Sequence, residues 1–505
     1  MNKKWAGLLA IMPSIGMVFV DQSILPVALP TIQKHFGASN MALWWSVNSY
    51  ILVSAVFLLV GGKLGDHFGY RKILSIGMGV FAFASALCGI SMNILWLILS
   101  RALQGIGAAL MLPASSPLIM SLFSRQERGK AVGINTSISS LFLIFGPLIG
   151  GYFTQSLSWR WIFWINIPIS ILGILLLHRF IERSAKVEQK FDLWGFVFFL
   201  FSSCSLITLI MQGGVWGWLS IHTLIFFAIF FTATFLLLLR EKKSSHPFID
   251  LALFRHPVYT AVSLTISVTT FVLMINVYRV VYFQNVLHWS PTESGVVLFF
   301  STVPILFMSP IGGWLADKSG PKIPLSIGFI SLIFSFFWLA FFVKSSLWMP
   351  FLGLIAFSMG IALIFTPSYS SAMNAVPVIK AGSAFGVLST IRSLASSMGI
   401  AAIAAFVIFV ETQVFVHVTH QNPNTKFLDT AYLKSVVQNP SQIDNLPSEE
   451  EKVMRHHLVK ARKDAFFAVH MVMGVLLIIT FLLVISLYNR KSSHHLPESP
   501  AEGWD

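Results

Sequence analysis

About fourteen long apolar segments follow one another along this sequence of 505 residues, and they limit the possible folds more than any other feature. A helix needs about 20 mostly apolar residues to cross the hydrocarbon core of a bilayer. Transmembrane barrels are excluded, because their strands alternate in polarity over segments of about ten residues. The sequence therefore predicts an all-α, polytopic membrane protein. The segments lie near residues 6–29, 43–62, 73–92, 94–121, 131–154, 161–179, 193–213, 221–240, 257–283, 294–316, 323–343, 347–372, 384–410 and 465–487.

The charged residues indicate how these segments are oriented. Only 11% of the residues are charged, against about 25% in soluble proteins, so lipid must face most of the surface. The net charge of +14 does not indicate nucleic-acid binding, because Lys and Arg collect in the cytoplasmic loops of membrane proteins. With the N-terminus inside, cytoplasmic segments hold 21 of the 34 basic residues and the short outer loops hold three. We therefore expect both termini in the cytoplasm.

A repeated motif divides the chain into two related halves. Gly62–Lys72 and Gly313–Lys322 share the spacing Gly-x-Leu-x-Asp-x-x-Gly, 251 positions apart. Parallel repeats of this kind build transporters that bind their substrate near the midplane, between the repeats. We expect a six-helix bundle in residues 1–185, two linker helices in 186–245, and a second six-helix bundle in 246–505 that carries an outer loop at 411–464.

The outer loop is the only sizeable polar stretch. Asn-Pro and Leu-Pro pairs mark turns within it, and the alternating acids and bases of Glu449–Asp464 are compatible with a short helix. A solvated loop is the favoured interpretation, with a periplasmic cap as the alternative.

Two opposite charges occur inside predicted membrane helices, where charges are costly and usually functional. At a rise of 1.5 Å per residue, Asp21 of the first helix and Arg101 of the fourth reach similar depths in the bilayer. If they pair, protonation of Asp21 releases Arg101, which would let a proton bias a conformational equilibrium. The alternatives are a permanent structural ion pair and two residues that never meet.

Glycine-rich stretches mark two further candidate sites. Gly146, Pro147, Gly150 and Gly151 lie in the fifth predicted helix, where Pro kinks a helix and Gly allows close approach of a neighbour. This bend is either a seam between conformational states or generic packing. The repeated motif is predicted to form a tight turn and a gate latch at the cytoplasmic face, with ordinary loop chemistry as the alternative. The latch residues are Gly62, Asp66, Gly69, Arg71, Lys72 and, in the second half, Asp317.

These motifs together resemble the major facilitator superfamily, in particular its fourteen-helix drug:proton antiporter branch (EmrB/QacA type). His67 stands where that family usually has Arg in the loop motif, and Pro26 stands where the branch commonly has Asn. The motifs that carry the resemblance are Asp21–Pro30, Gly62–Lys72, Arg101–Gly107, Gly146–Gly151, Trp159–Pro168 and Pro247–Arg255.

The resemblance implies a bacterial, multi-pass protein of the plasma (inner) membrane that exports a small amphipathic compound in exchange for protons, without a cofactor. Arg101 would then take part in proton transfer, and the fifth-helix motif would be that of an exporter. The alternative is a proton-independent or uptake facilitator of a small metabolite or siderophore-like compound. The expected partners are a small-molecule substrate, protons and the lipid bilayer, and a periplasmic adaptor protein is left open. No nucleotide loop, metal cluster or soluble catalytic domain indicates an enzyme.

The candidate cavity residues are polar side chains within predicted helices: Asn48, Tyr50, Gln104 and Arg392. The predicted helices between 294 and 410 contain no acid, whereas Arg279 and Arg392 lie in helices of the second half. A site with this charge repels a dication and tolerates an anionic, zwitterionic or neutral amphiphile. The alternative is that Arg392 pairs only with backbone carbonyls. Resistance to divalent biguanides but not to anionic compounds would overturn the charge argument.

Overall fold

A computed structural model describes residues 3–124, 127–182, 192–244, 248–249, 251–343, 348–376, 381–423 and 425–491. Every regular element in these ranges is helical, and fourteen helical segments are long and apolar enough to span a membrane. The predicted all-α, fourteen-span architecture is confirmed. The predicted domain boundaries at 185–186 and 245–246, the motif residues Pro247 and Asp250, and the tail 492–505 lie outside the described residues.

The first half forms six spans joined by short connections, so that consecutive spans run antiparallel. Ser39 and Asn93 cap the second and fourth helices by accepting hydrogen bonds from the backbone N–H of Ala42 and Trp96. The helices are α1 Lys3–Phe36, α2 Asn40–Phe68, α3 Tyr70–Gly89, α4 Ile94–Leu122, α5 Arg128–Ser156, and α6 Trp161–Trp164 with α7 Asn166–Phe180, which together make the sixth span.

Two further spans, α8 Leu193–Trp216 and α9 Ile221–Lys243, form an antiparallel pair after the first half. The second half follows with six spans, two of which are broken. The breaks lie at Met274 and at Val303, which precedes Pro304. The helices are α10 Pro257–Leu273, α11 Ile275–Asn285, α12 Pro291–Thr302, α13 Pro304–Ser319, α14 Lys322–Phe342, α15 Trp348–Asn374, α16 Ala381–Gln421, α17 Thr430–Gln438 and α18 Ser448–Lys491.

The described residues of 411–464 form a folded unit, which we call the cap, and the interpretation as a solvated loop is wrong. Helix α16 continues ten residues past Glu411, α17 and a short 3-10 helix at Pro440–Asn445 follow, and α18 begins at Ser448. Leu433, Val436 and Val437 lie on one face of α17 and pack with Phe415 and Met454. This apolar cluster is what holds the cap together.

The two halves meet along α5 with α12, α2 with α16, and α1 with α11, while α8 packs against both α2 and α16. We call the end of the bundle that carries the cap the cap face, and the other end the opposite face. Several contacts between the halves lie toward the cap face. Asn40 Nδ2 donates to the Val437 carbonyl at 2.7 Å, and Gln284 Nε2 donates to the Val27 carbonyl at 2.9 Å.

Candidate transport site

Asp21 and Arg101 are in direct contact inside the first half. Arg101 Nη1 lies 2.5 Å from Asp21 Oδ2, and each side chain is only 1% exposed. The attraction within such a pair offsets the free-energy cost of removing two charges from water only if their remaining polar atoms also form hydrogen bonds. The predicted similarity in depth is therefore matched by a contact between α1 and α4.

Gln104 completes this ion pair. Its amide oxygen accepts from Arg101 Nη1 at 2.7 Å, and its Nε2 donates to Asp21 Oδ1 at 2.9 Å. The same Nε2 donates to Ser85 Oγ at 2.9 Å, and Asn166 Nδ2 donates to Ser85 Oγ at 3.3 Å. A continuous polar network thus joins α1, α3, α4 and α7 in an apolar bundle.

Tyr50 and Gln104 were expected to line a cavity, and the structure buries both of them around the ion pair. Both side chains have an exposed fraction of 0%. The Tyr50 ring lies under the Arg101 guanidinium, 4.3 Å from its carbon to the ring centroid, where the cation–π attraction is favourable. Ser85 and Asn166 were missed because a serine or asparagine inside an apolar helix does not reveal which face of the helix it occupies.

Asn48, another residue expected in the cavity, is also fully buried, and it joins three helices. Its Oδ1 accepts from Ser397 Oγ of α16 at 2.7 Å, and its Nδ2 faces Met211 Sδ of α8 at 3.1 Å. The asparagine therefore contributes to the contact between the two halves.

Two polar residues remain as candidates for contact with a substrate. Arg392 is partly exposed, and its Nε is buried without a hydrogen-bond partner in the described structure. Gln22 is exposed although α1 is packed against α4, α5, α7 and α11. We expect a side chain that is exposed halfway along such a surrounded helix to face the space between the halves. Gln22 was not predicted from the sequence, where its one signal was its position next to Asp21.

Arg279 does not face this space, which corrects the use of two arginines to infer the charge of the substrate. It is fully buried between Phe336 and Phe357, 4.9 and 4.5 Å from their ring centroids. Its Nε donates to His470 Nε2 at 3.1 Å and its Nη1 to Asn276 Oδ1 at 3.1 Å. The expectation that the substrate is not a dication therefore depends on Arg392 alone.

The fifth-helix motif lies where three helices approach closely. A Cβ on Gly146 would lie 1.9 Å from Ser23 Oγ of α1, and one on Gly150 would lie 2.8 Å from the Ile24 carbonyl. A Cβ on Gly151 would lie 2.6 Å from the Pro291 carbonyl of α12. The motif thus packs α5 against α1 on one side and against the second half on the other. This contact lies at the cap-face end of the interface between the two halves, which we call the seam.

The repeated loop motif lies at the opposite face, and its last glycine makes the turn. Gly69 and Gly320 have φ values of 92° and 77°, which favour glycine. Gly62 lies within α2 instead. The Asp66 carboxylate accepts a hydrogen bond from the Tyr70 hydroxyl.

The remaining residues assigned to the predicted latch also lie at this face. Arg71 Nη2 donates to the His178 carbonyl of α7 at 3.4 Å. Lys72 is exposed, with its Nζ 5.5 Å from the Phe68 ring centroid. Asp317 is exposed near the end of α13.

Comparison with known proteins places the chain among membrane transporters. The model of the Major Facilitator Superfamily matches residues 11–400. The multidrug resistance protein Stp of Mycobacterium tuberculosis (strain CDC 1551 / Oshkosh) is 32% identical over 392 residues, covering 77% of this chain and 73% of that protein. The riboflavin transporter RibZ of Clostridioides difficile is 32% identical over 413 residues, covering 80% and 89%. The tetracenomycin C resistance and export protein of Streptomyces glaucescens is 30% identical over 411 residues, covering 79% and 75%.

Solved structures show the same fold at low sequence identity. An inward-facing, unoccupied bacterial homologue of the human lysosomal transporter Spinster superposes with a TM-score of 0.67 at 14% identity, covering 99% of this chain and 100% of that one. A D-xylose-proton symporter gives a TM-score of 0.58 at 17% identity, covering 80% and 90%.

Proposed function

Because this chain belongs to the Major Facilitator Superfamily, we propose that it exports a small amphipathic compound, such as a drug, antibiotic or metabolite, in exchange for protons. Both termini lie in the cytoplasm of a bacterium, and the cap lies on the outer side of the plasma membrane. The observation that carries this proposal is the buried Asp21–Arg101–Gln104 network.

Asp21 is the proton-binding group in this proposal. While it is ionised, it holds Arg101 and Gln104 and ties α1 to α4. Protonation removes the charge that balances Arg101 and weakens both contacts. The proton thereby changes the relative free energies of two arrangements of α1.

Helix α1 can transmit this change to the seam between the halves. Ser23 and Ile24, two and three residues after Asp21, contact the glycines of α5. Val27 accepts a hydrogen bond from Gln284 of α11. A small displacement of α1 therefore acts on contacts with both halves, which supports alternating access by rocking of one half against the other.

The relatives' names support export of an antibiotic-like compound. One relative is named for multidrug resistance and another for resistance to and export of tetracenomycin C. Arg392 favours a substrate that is not a dication, because a second positive group near it would be repelled. Gln22 and Arg392 are the proposed contacts with the substrate.

The test uses inside-out vesicles with an imposed pH gradient and a panel of neutral, anionic, zwitterionic and dicationic compounds. We expect accumulation that depends on the gradient, and we expect Asp21→Asn to abolish that dependence. The matched control is Asp444→Asn, which removes the acid of an exposed Asp–Arg pair in the cap. Unchanged gradient-dependent export by Asp21→Asn would contradict the proposed role of Asp21.

Uptake or facilitated passage of a small metabolite is the second candidate, because one relative of similar identity is named a riboflavin transporter. Riboflavin therefore belongs in the panel. Movement of riboflavin down its own gradient, without an effect of pH, would favour this alternative.

A further inference from the structure

Glu411 is another buried acid, which lies close to the cap face. It lies on α16 and is only 5% exposed. Its side chain lines a cavity of about 30 Å³, which is enough for a water molecule. The walls around it include Asn40, Trp44, Tyr278, Tyr282 and Arg462.

The Glu411 carboxylate has neither a hydrogen-bond donor nor an ion-pair partner among the described residues. Across the described ranges, no residue donates a hydrogen bond to it and none forms an ion pair with it; Arg462 lines the same cavity without reaching ion-pair distance. Asp21 differs in this respect, since Arg101 and Gln104 both bind it. A buried carboxylate without such partners is costly when charged, and it is accommodated far more readily with its proton.

The cavity lies across the seam between the two halves. Asn40 and Trp44 come from α2, whereas Tyr278, Tyr282 and Glu411 come from the second half. The Trp44 and Tyr278 rings are 6.4 Å apart between centroids, and Asn40 binds the Val437 carbonyl of the cap. Separation of the halves at the cap face would therefore expose Glu411 to water, where its charged form is solvated.

We propose that Glu411 binds a proton from the solution at the cap face and that this proton is needed for the seam to close there. This inference rests on the proposed proton-driven, alternating-access function. The titratable groups that face Glu411 are Arg462 of α18 and Tyr278 and Tyr282 of α11, while α2 contributes the non-titrating Asn40 and Trp44. Acidification at the cap face thus favours the closed seam, and alkaline solution favours separation.

The test measures a distance across the cap face by pulsed electron spin resonance. Spin labels are attached through Leu157→Cys in the first half and Phe427→Cys in the cap, both exposed positions. Cys204 is partly exposed, so it is replaced by Ser to keep the label from reacting there. Cys88 is buried and is retained. We expect the short-distance population of the full-length protein to grow as the pH falls.

Glu411→Gln, which is permanently neutral, should give the short distance at every pH. Glu450→Gln, an exposed acid in the same cap, should keep the pH dependence of the parent. Glu411→Asp retains the acid and should keep a pH dependence with a shifted midpoint, so the inference can be tested even if Glu411→Gln folds poorly. A pH dependence that is unchanged in Glu411→Gln overturns the inference.

Asp21→Asn separates this inference from the proposed function. If Asp21→Asn loses gradient-driven export but its spin-label distance still depends on pH, the result supports both the proposed function and the role of Glu411. If the distance loses its pH dependence in Asp21→Asn but not in Glu411→Gln, then Asp21 is the titrating group and the role of Glu411 is overturned. If export does not depend on protons but the pH dependence of the spin-label distance still requires Glu411, the proposed function is contradicted and the role of Glu411 is supported.

Discussion

Gly295 of α12 lies against the backbone of Pro147 in α5, so closely that a Cβ on Gly295 would be 2.3 Å from the Pro147 carbonyl oxygen. The contact joins the fifth-helix motif of the first half to the second half at the cap end of the seam. Because the obstacle is backbone, it cannot move aside as a flexible side chain would.

Gly295→Ala is therefore expected to prevent full closure of the seam at the cap face. We expect at least a tenfold loss of transport in vesicles, with folding retained because each half keeps its own core. The control is Gly79→Ala in α3, where no atom lies within 4 Å of the added Cβ. Normal transport by Gly295→Ala would show that this approach is not needed in the cycle.

Arg101→Lys is expected to impair the network although it keeps the charge. Arg101 binds Asp21 and Gln104 through Nη1 and faces the Ser46 carbonyl through Nε at 3.4 Å. A lysine ammonium cannot reproduce this planar geometry or the contact with Tyr50. We expect export to fall at least tenfold. We expect the free energy of unfolding to fall by about 1–3 kcal/mol.

The matched control for Arg101→Lys is Arg455→Lys in the exposed cap pair. Exposed ion pairs contribute about 0–1 kcal/mol, so that variant should behave like the parent. Wild-type export by Arg101→Lys would mean that charge alone suffices.

Ser397→Ala removes a hydrogen bond that crosses between the halves. Asn48 Oδ1 then loses its donor in a buried position, at a cost of about 1–3 kcal/mol to the observed conformation. We expect a lower melting temperature and a smaller closed population in the spin-label distance. Ser396→Ala is the control, since Ser396 Oγ donates to the Arg392 carbonyl of its own helix. Equal effects of the two variants would contradict a cross-half role.

Arg392→Gln is expected to change selectivity. Loss of the positive charge should reduce export of anionic and zwitterionic compounds several-fold and leave neutral compounds largely unaffected. The measurement is the compound panel, with Lys318→Gln at the exposed end of α13 as the control. An equal loss across all charge classes would indicate that Arg392 acts on conformation and not on the substrate.

The depth of Asp21 and Arg101 was predictable because the rise of a helix per residue is fixed. Their shared partner Gln104 was not, because helices that are apolar on all sides carry no periodic signal of which face points inward. Asn48 and Tyr50 were assigned to a cavity for the same reason. Polarity showed that these side chains need partners, but it did not identify the partners.

The sequence by itself determined the membrane-spanning helical fold, the duplication, and the membership of the family, because long apolar segments in lipid have few alternatives and the motifs are local. The tertiary structure alone decided how the cap folds, how closely the seam packs, and where Glu411 lies. Those features join residues as distant as Asn40 and Val437, and they depend on how each helix is rotated and tilted against its neighbours.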